Sequence, residues 1–152
     1  YKAKHVSNFL EITNGNNKLS IQYAMGTATD DEFRSICEAT NDCGLDITLL
    51  GYKRVGRGKD WKPYPYTNWI KTVKEVLHYS RIGIDTTLAN EFKDELLSLQ
   101  NSKFFTFDEG KFSMYIDAIE KQAAPSSFAD KKKFTDITQL YDHPIDKVFS
   151  QF

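Results

Sequence analysis

Lys53, Arg54, Arg57, Lys59 and Lys62 fall within ten residues of one another, and Trp61, Tyr64, Tyr66 and Trp69 are threaded through and just after them. Cations for phosphates and flat rings for base stacking are what RNA and single-stranded DNA sites use. Gly56 and Gly58 would let backbone amides come close to an anion. The same composition also suits a solvated surface loop or a contact to another protein, so three uses stay open. Lys53, Arg54, Arg57, Lys59, Trp61, Lys62, Tyr64 and Tyr66 form the candidate partner-binding set.

Other reactive side chains are scattered. His5, His78 and His143 have no metal-ligand or acid–base spacing, and His78 beside Tyr79 reads as a surface or boundary helix residue. Asp108 and Glu109 precede Gly110 and read first as turn carboxylates. Ser126 and Ser127 sit in no nucleophile elbow. Cys37 and Cys43 match neither a zinc nor a dithiol spacing and are expected to be free thiols of a reducing cytoplasm. No catalytic, cofactor-binding or metal-binding residue is assigned, and no cofactor is expected.

These residues sit in a chain of 152 amino acids, the usual size of one domain and long enough to fold without a disulfide or metal. Eleven Phe and eight Tyr supply core volume. With 20 basic and 21 acidic residues the net charge is −1, so only a local cluster argues for nucleic acid or membrane. No apolar run approaches the roughly 18 residues that span a bilayer, and no signal peptide is visible. The expected compartment is the cytoplasm. The first residue is Tyr1 rather than Met, as expected of a trimmed start.

The elements expected to position the basic loop alternate. His5–Ile12 is read as a short strand and Asn14–Asn17 as a turn. Leu19, Ile21, Tyr23 and Met25 alternate with polar or small residues, the period of a strand. Thr29 and Glu32 have capping-box spacing, and Phe33, Ile36 and Cys37 share a helical face that ends at Asp42-Cys43-Gly44. Residues 45–52 form a second strand, covered on both faces because Ile47-Thr48-Leu49-Leu50 is nearly all apolar. Residues 53–66 form a loop. Thr67 is the expected cap of a helix carrying Trp69, Ile70, Val73, Val76 and Leu77. Residues 81–86 read as a third strand. Residues 88–99 read as a helix with Leu88, Phe92, Leu96 and Leu97 inside. The order β-α-β-α-β-α predicts a mainly parallel sheet with covering helices. Beyond residue 102, Phe104–Phe107 and Phe112–Ala118 are expected to pair as a hairpin around Gly110. Ala123-Ala124-Pro125 starts an extended piece, Lys131–Lys133 is a solvated turn, and Pro144–Phe152 is a terminal helix.

Four stretches, in order, resemble the C-terminal part of radical S-adenosylmethionine enzymes with SPASM-type auxiliary-cluster domains. They are Leu49-Leu50-Gly51-Tyr52-Lys53-Arg54-Val55-Gly56-Arg57-Gly58, Ile82-Gly83-Ile84-Asp85-Thr86-Thr87-Leu88, Phe105-Thr106-Phe107-Asp108-Glu109-Gly110-Lys111-Phe112-Ser113-Met114-Tyr115-Ile116-Asp117-Ala118, and Ala124-Pro125-Ser126-Ser127-Phe128. The resemblance covers roughly residues 19–150. It implies an α/β fold: a partial (half) β/α barrel over residues 1–102, with a hairpin and terminal helix over residues 103–152 packed on it as one structural domain. It also implies that residues near Gly51 and Arg57 once contacted S-adenosylmethionine.

The departures from the family matter more. Its pattern puts cysteines at positions 87, 107 and 126, where this chain has Thr87, Phe107 and Ser126. Iron–sulfur clusters are held by thiolates. Phe has no ligating atom, and hydroxyls are hard, weakly acidic ligands. The front half of the barrel, with the family's three-cysteine loop, has no counterpart either. Truncation alone would have left the three cysteines in place, so the chemistry is expected to be gone from the intact protein, and the chain is not expected to be an enzyme. A half-barrel must hide an open sheet edge, through its N-terminal segment, self-association or a partner. The expected function is therefore that of a protein-interaction module, an inhibitor of a host defence ribonucleoprotein of the anti-CRISPR type, with direct RNA contact open and no membrane partner. The alternative is a fragment or peptide-recruiting subunit of a radical peptide-modifying enzyme. A stand-alone enzyme of unrelated chemistry is a third reading.

Overall fold

Ile21 and Tyr23 in one segment and Ile47 and Leu49 in another place large apolar groups at every second position, the period of a strand. A computed structural model of the chain describes residues 4–12, 20–76, 82–100, 102, 105–110 and 113–138. It divides into two compact units, Tyr1–Phe105 and Thr106–Phe152.

In the first unit, β1 (Ser20–Ala24), β2 (Asp46–Leu50) and β3 (Ile82–Ile84) form a three-stranded sheet in the order β1-β2-β3. All pairs are parallel, with Tyr23 opposite Leu49 and Leu49 opposite Ile84. Tyr23, Ile47 and Leu49 are buried on one face. The helix α2 (Asp30–Asp42) covers that face, because the Phe33 ring lies 5.1 Å from Tyr23. The opposite face carries Gln22, Thr48 and Gly83 in one row, and none of them is buried. The expectation that β2 is covered on both faces is therefore corrected: Thr48 and Leu50 remain half-exposed.

The start of α2 follows its sequence closely. The Thr29 hydroxyl accepts from the Glu32 N–H, and the Glu32 carboxylate accepts from the Thr29 N–H at 3.1 Å, closing the expected capping box. Three acidic residues in the first turn also suit the positive end of the helix dipole. The chain leaves α2 through Cys43 and Gly44, whose φ of +64° is the left-handed conformation glycine adopts without strain. Phe33, Ile36, Cys37 and Thr40 are its buried stripe.

Three helical expectations change. Residues expected to form a strand near the N-terminus form α1 (Lys4–Ile12), with Val6 buried. Val6, Phe9 and Leu10 have the i, i+3, i+4 spacing of a helix, which a short window does not separate from a strand. The helix after the basic loop, α3 (Trp69–Val76), is preceded by Asn68, whose carbonyl accepts from Thr72 N–H, so Thr67 lies one residue outside the cap. Trp69 and Thr72 are its buried residues, and α3 lies beside α2. Leu77 is outside the described residues. The single helix expected over residues 88–99 is two short ones, α4 (Thr86–Glu91) and α5 (Lys93–Leu97), broken at Phe92 with φ −117° and ψ +35°. Leu88, Phe92 and Leu96 are buried on one i, i+4 stripe, while Leu97, one step round the helix, is 51% exposed.

In the second unit, β4 (Tyr115–Asp117), β5 (Gln122–Ala124) and β6 (Thr135–Asp136) form an antiparallel sheet in that order. The hairpin is not where it was expected. Phe105–Asp108 is not a strand, although Gly110 does turn with φ +82°. The reversal lies between Asp117 and Gln122 instead. The Asp117 carboxylate accepts from the N–H groups of Ile119 and Glu120, both at 3.0 Å, and Lys121 takes φ +53°. Lys131–Lys133 is an exposed 3₁₀ turn, as expected of a solvated segment. The expected turn at Asn14–Asn17 and the terminal helix over 144–152 lie outside the described residues. Among the described residues, no helix is long and apolar enough to cross a membrane.

Replacing the capping threonine, Thr29→Ala, is expected to lower stability by about 1 kcal/mol in urea unfolding, because it leaves a helix N–H without its acceptor. An unchanged midpoint would mean that the box contributes nothing in this context.

Candidate functional site: the loop on the strand ends

Open α/β sheets bind ligands at the carboxyl ends of their strands. Here that rim is formed by Met25–Gly26 after β1, Gly51–Lys53 after β2 and Asp85 after β3. The ladder continues past the strands, with Met25 N–H donating to Leu50 O at 2.8 Å and Asp85 N–H to Leu49 O at 2.9 Å.

Asp85 is the centre of this rim. Its Oδ1 accepts from Leu88 N–H and from Gly51 N–H, both at 2.8 Å. One carboxylate oxygen therefore caps α4 and holds the chain leaving β2. Its Oδ2 is buried without a hydrogen bond, and the Lys53 ammonium stands 3.5 Å away as a charge–charge contact. Gly51 has no room for a side chain: a Cβ there would lie 2.7 Å from Leu88 N and 2.8 Å from the Thr87 methyl carbon.

The basic loop starts at this anchor and is pinned again further on. Tyr52 donates its hydroxyl to Gly58 O at 2.6 Å, folding the Gly56–Gly58 turn back on its origin. Tyr64 N–H donates to Gly26 O at 2.9 Å, and a Cβ on Gly26 would stand 2.6 Å from the Pro63 Cβ. Tyr66 donates to the Glu91 carboxylate at 2.8 Å, and its ring lies 6.0 Å from Phe92. Phe92 in turn meets Trp69 edge-on at 5.7 Å.

The predicted binding set is divided by this geometry. Arg54, Lys59, Trp61, Lys62 and Tyr64 are exposed, Trp61 by 51% and Tyr64 by 46%. Lys53 and Tyr66 are half-buried and hold the loop through Asp85 and Glu91. The Arg57 side chain is outside the described residues. Trp69 is a core residue, 1% exposed, and takes no part in the surface. The sequence reading missed Gly26, Tyr52, Asp85 and Glu91 as loop anchors. Asp85 alone carried a signal, an aspartate directly before a helix start.

The positions that the family resemblance links to cluster thiolates do not fit an iron–sulfur cluster. Thr87 is packed against Gly51, Phe107 offers no ligating atom, and the Ser126 hydroxyl donates to Glu109 at 2.8 Å. Cys37 is fully buried in α2, and burial pushes its thiol up to about 12, so it is protonated at neutral pH. Cys43 is half-buried beyond the helix end. Among the described residues, no group of three or more His, Cys, Asp and Glu is arranged to hold a metal ion. His5 is exposed on α1, and the other two histidines lie outside the described residues. Comparison of the chain with protein-family models, curated proteins and solved structures gave no match.

Two outcomes test this anatomy. Asp85→Ala is expected to cost about 2 kcal/mol in urea unfolding, whereas Asp85→Asn, which keeps an acceptor at Oδ1, costs less than half as much. Equal losses would place the effect in the Lys53 contact instead. The second outcome is alkaline. Burial, helped by the Glu91 hydrogen bond, pushes the Tyr66 phenol up to about 12, and burial also raises Cys37 and Tyr23. The folded chain thus holds these protons more tightly than the unfolded chain does. Their stabilisation is complete below pH 9, the ordinary thiol value, and is lost as pH rises toward about 12. Melting temperature measured against pH is expected to fall across that window, and Cys37→Ala is expected to remove the earliest part of the fall.

Proposed function

We propose that the chain is a non-catalytic interaction module on a partial β/α barrel of the radical S-adenosylmethionine type, and that it docks on a ribonucleoprotein through its rim loop. The scaffold reading is supported by three parallel strands in chain order, with α2 and α3 side by side and one sheet face left half-open. A section of barrel wall has this form, with helices outside and an interior face lacking its opposite wall. The absence of thiolates at positions 87, 107 and 126 supports a module that keeps the scaffold without the cluster chemistry.

The observation that carries the binding reading is the division of labour in the rim loop. Lys53, Tyr52, Pro63 and Tyr66 face inward and fix its course, while Arg54, Lys59, Trp61, Lys62 and Tyr64 face solvent. Charges and rings presented on a fixed backbone lose less freedom on binding than the same groups on a mobile one. By analogy, a small module stripped of its ancestral chemistry suits the blocking of a host defence complex, as anti-CRISPR proteins do.

A peptide-recruiting role is the second reading, and β1 favours it. It is an outer strand of the sheet, beside a hollow of about 240 Å³ lined by Val6, Ile21, Tyr23 and Ile36. An extended peptide can add to such an edge.

Direct binding to a panel of purified RNA-guided effector complexes tests the first reading. At least one is expected to bind and be inhibited, and the folded double variant Arg54→Glu/Lys62→Glu is expected to bind it about tenfold more weakly. No binding across the panel refutes the reading. Binding of a leader peptide that is indifferent to the double variant would install the second.

A further inference from the structure

We infer that the element contacted by the rim loop is single-stranded RNA, read through its bases and phosphates without sequence preference. The inference rests on the loop being the docking surface and names what that surface grips.

Charge comes first. Residues 53–66 hold five basic groups and one carboxylate, Asp60, in a chain whose total is −1. The segment is therefore locally basic in a chain of near-zero net charge, as a polyanion site requires. Of the five, Lys53 is committed to Asp85, which leaves Arg54, Lys59 and Lys62 as the exposed described cations of the loop.

The rings separate a nucleic acid from an acidic protein. An acidic protein needs only the cations. Here two large rings, Trp61 and Tyr64, are about half exposed and are interleaved in sequence with the cations. Base–aromatic stacking tolerates any base, because every base has a π-face. Trp61 and Tyr64 are three residues apart, so their Cα atoms are separated by at most about 10–11 Å. Pro63 and Pro65 fix φ on either side of Tyr64 and stiffen the platform. Gly26 accepts from the Tyr64 N–H and closely faces Pro63, so the backbone that carries the Tyr64 ring is pinned before any ligand arrives. In duplexes the bases are stacked on one another and offer no free π-face, which restricts the site to single strands.

The test is fluorescence anisotropy of labelled oligouridylate with the full chain, with a duplex RNA of equal length as competitor. The single strand is expected to bind, and the duplex to compete at least about tenfold more weakly. Trp61→Ala and Tyr64→Ala are each expected to weaken binding about tenfold, the scale of losing one stacked base. Three phosphate contacts predict a slope of log affinity against log salt of about −2, and Lys62→Gln is expected to reduce its magnitude by about 0.7. Circular dichroism confirms that the exposed-site variants fold. Absence of RNA binding, equal duplex binding, or binding unchanged by both ring variants each overturns the inference. Nuclease-treated effector bound as tightly as untreated effector, with Arg54→Glu/Lys62→Glu still defective, also overturns it while leaving the docking reading intact. Loss of all docking, with RNA binding intact, removes the ribonucleoprotein reading alone.

Discussion

The carboxylate of Asp85 ties the start of α4 to the distant segment that leaves β2. Its Oδ1 receives N–H groups from Gly51 and Leu88, 34 and three residues away, and its Oδ2 faces Lys53. The exit from β2, the start of α4 and the base of the loop therefore depend on one side chain. The loop's later anchors act on a course this contact has already set. Tyr52 is next along the chain from Gly51, and the Gly56–Gly58 turn folds back onto it. A carboxylate accepting from backbone N–H groups forms charge-assisted hydrogen bonds, stronger than neutral ones. A nearby cation then compensates the oxygen left without a donor.

The local parts of this arrangement were legible in the residues. Thr29 and Glu32 declared the start of α2 because a capping box is complete within four positions. The alternation around Tyr23 and the apolar run Ile47–Leu50 declared two strands, and the helices between strands declared their parallel pairing. The loop's cations and rings announced themselves by composition. Which of them hold the loop and which face out could not be read, since Lys53 finds Asp85, and Tyr66 finds Glu91 25 residues on, only after the sheet has formed. The hairpin of the second unit was hidden for a different reason. Its reversal uses Ala118, Ile119, Glu120 and Lys121, with no Gly, Asn or Pro among them. The Asp117 side chain and a strained Lys121 do what a turn residue would. The break at Phe92 was equally silent, because Leu88, Phe92 and Leu96 keep helical spacing across it.

The two faces of the parallel sheet are unequal. One packs Tyr23, Ile47 and Leu49 under helices, while the other presents Gln22, Thr48 and Gly83 with only partial cover. The largest buried groups among the described residues, including Trp69, Met25 and Ile36, belong to the first unit. Core packing and loop anchoring thus draw on different parts of the same sheet. The helix-covered side supplies the packed interior, and the carboxyl rim supplies the anchors for an exposed loop.

The segment Trp61-Lys62-Pro63-Tyr64-Pro65-Tyr66 has a bearing on solubility. Exposed aromatic runs are usually hazards, because a second copy can lay an extended backbone alongside and begin a sheet. Two of these six residues have no N–H to offer, and the N–H of Tyr64, between them, is already given to Gly26. An incoming strand would find no continuous row of donors to pair with. This segment can therefore expose its rings without also offering a backbone edge on which a second copy could build a sheet.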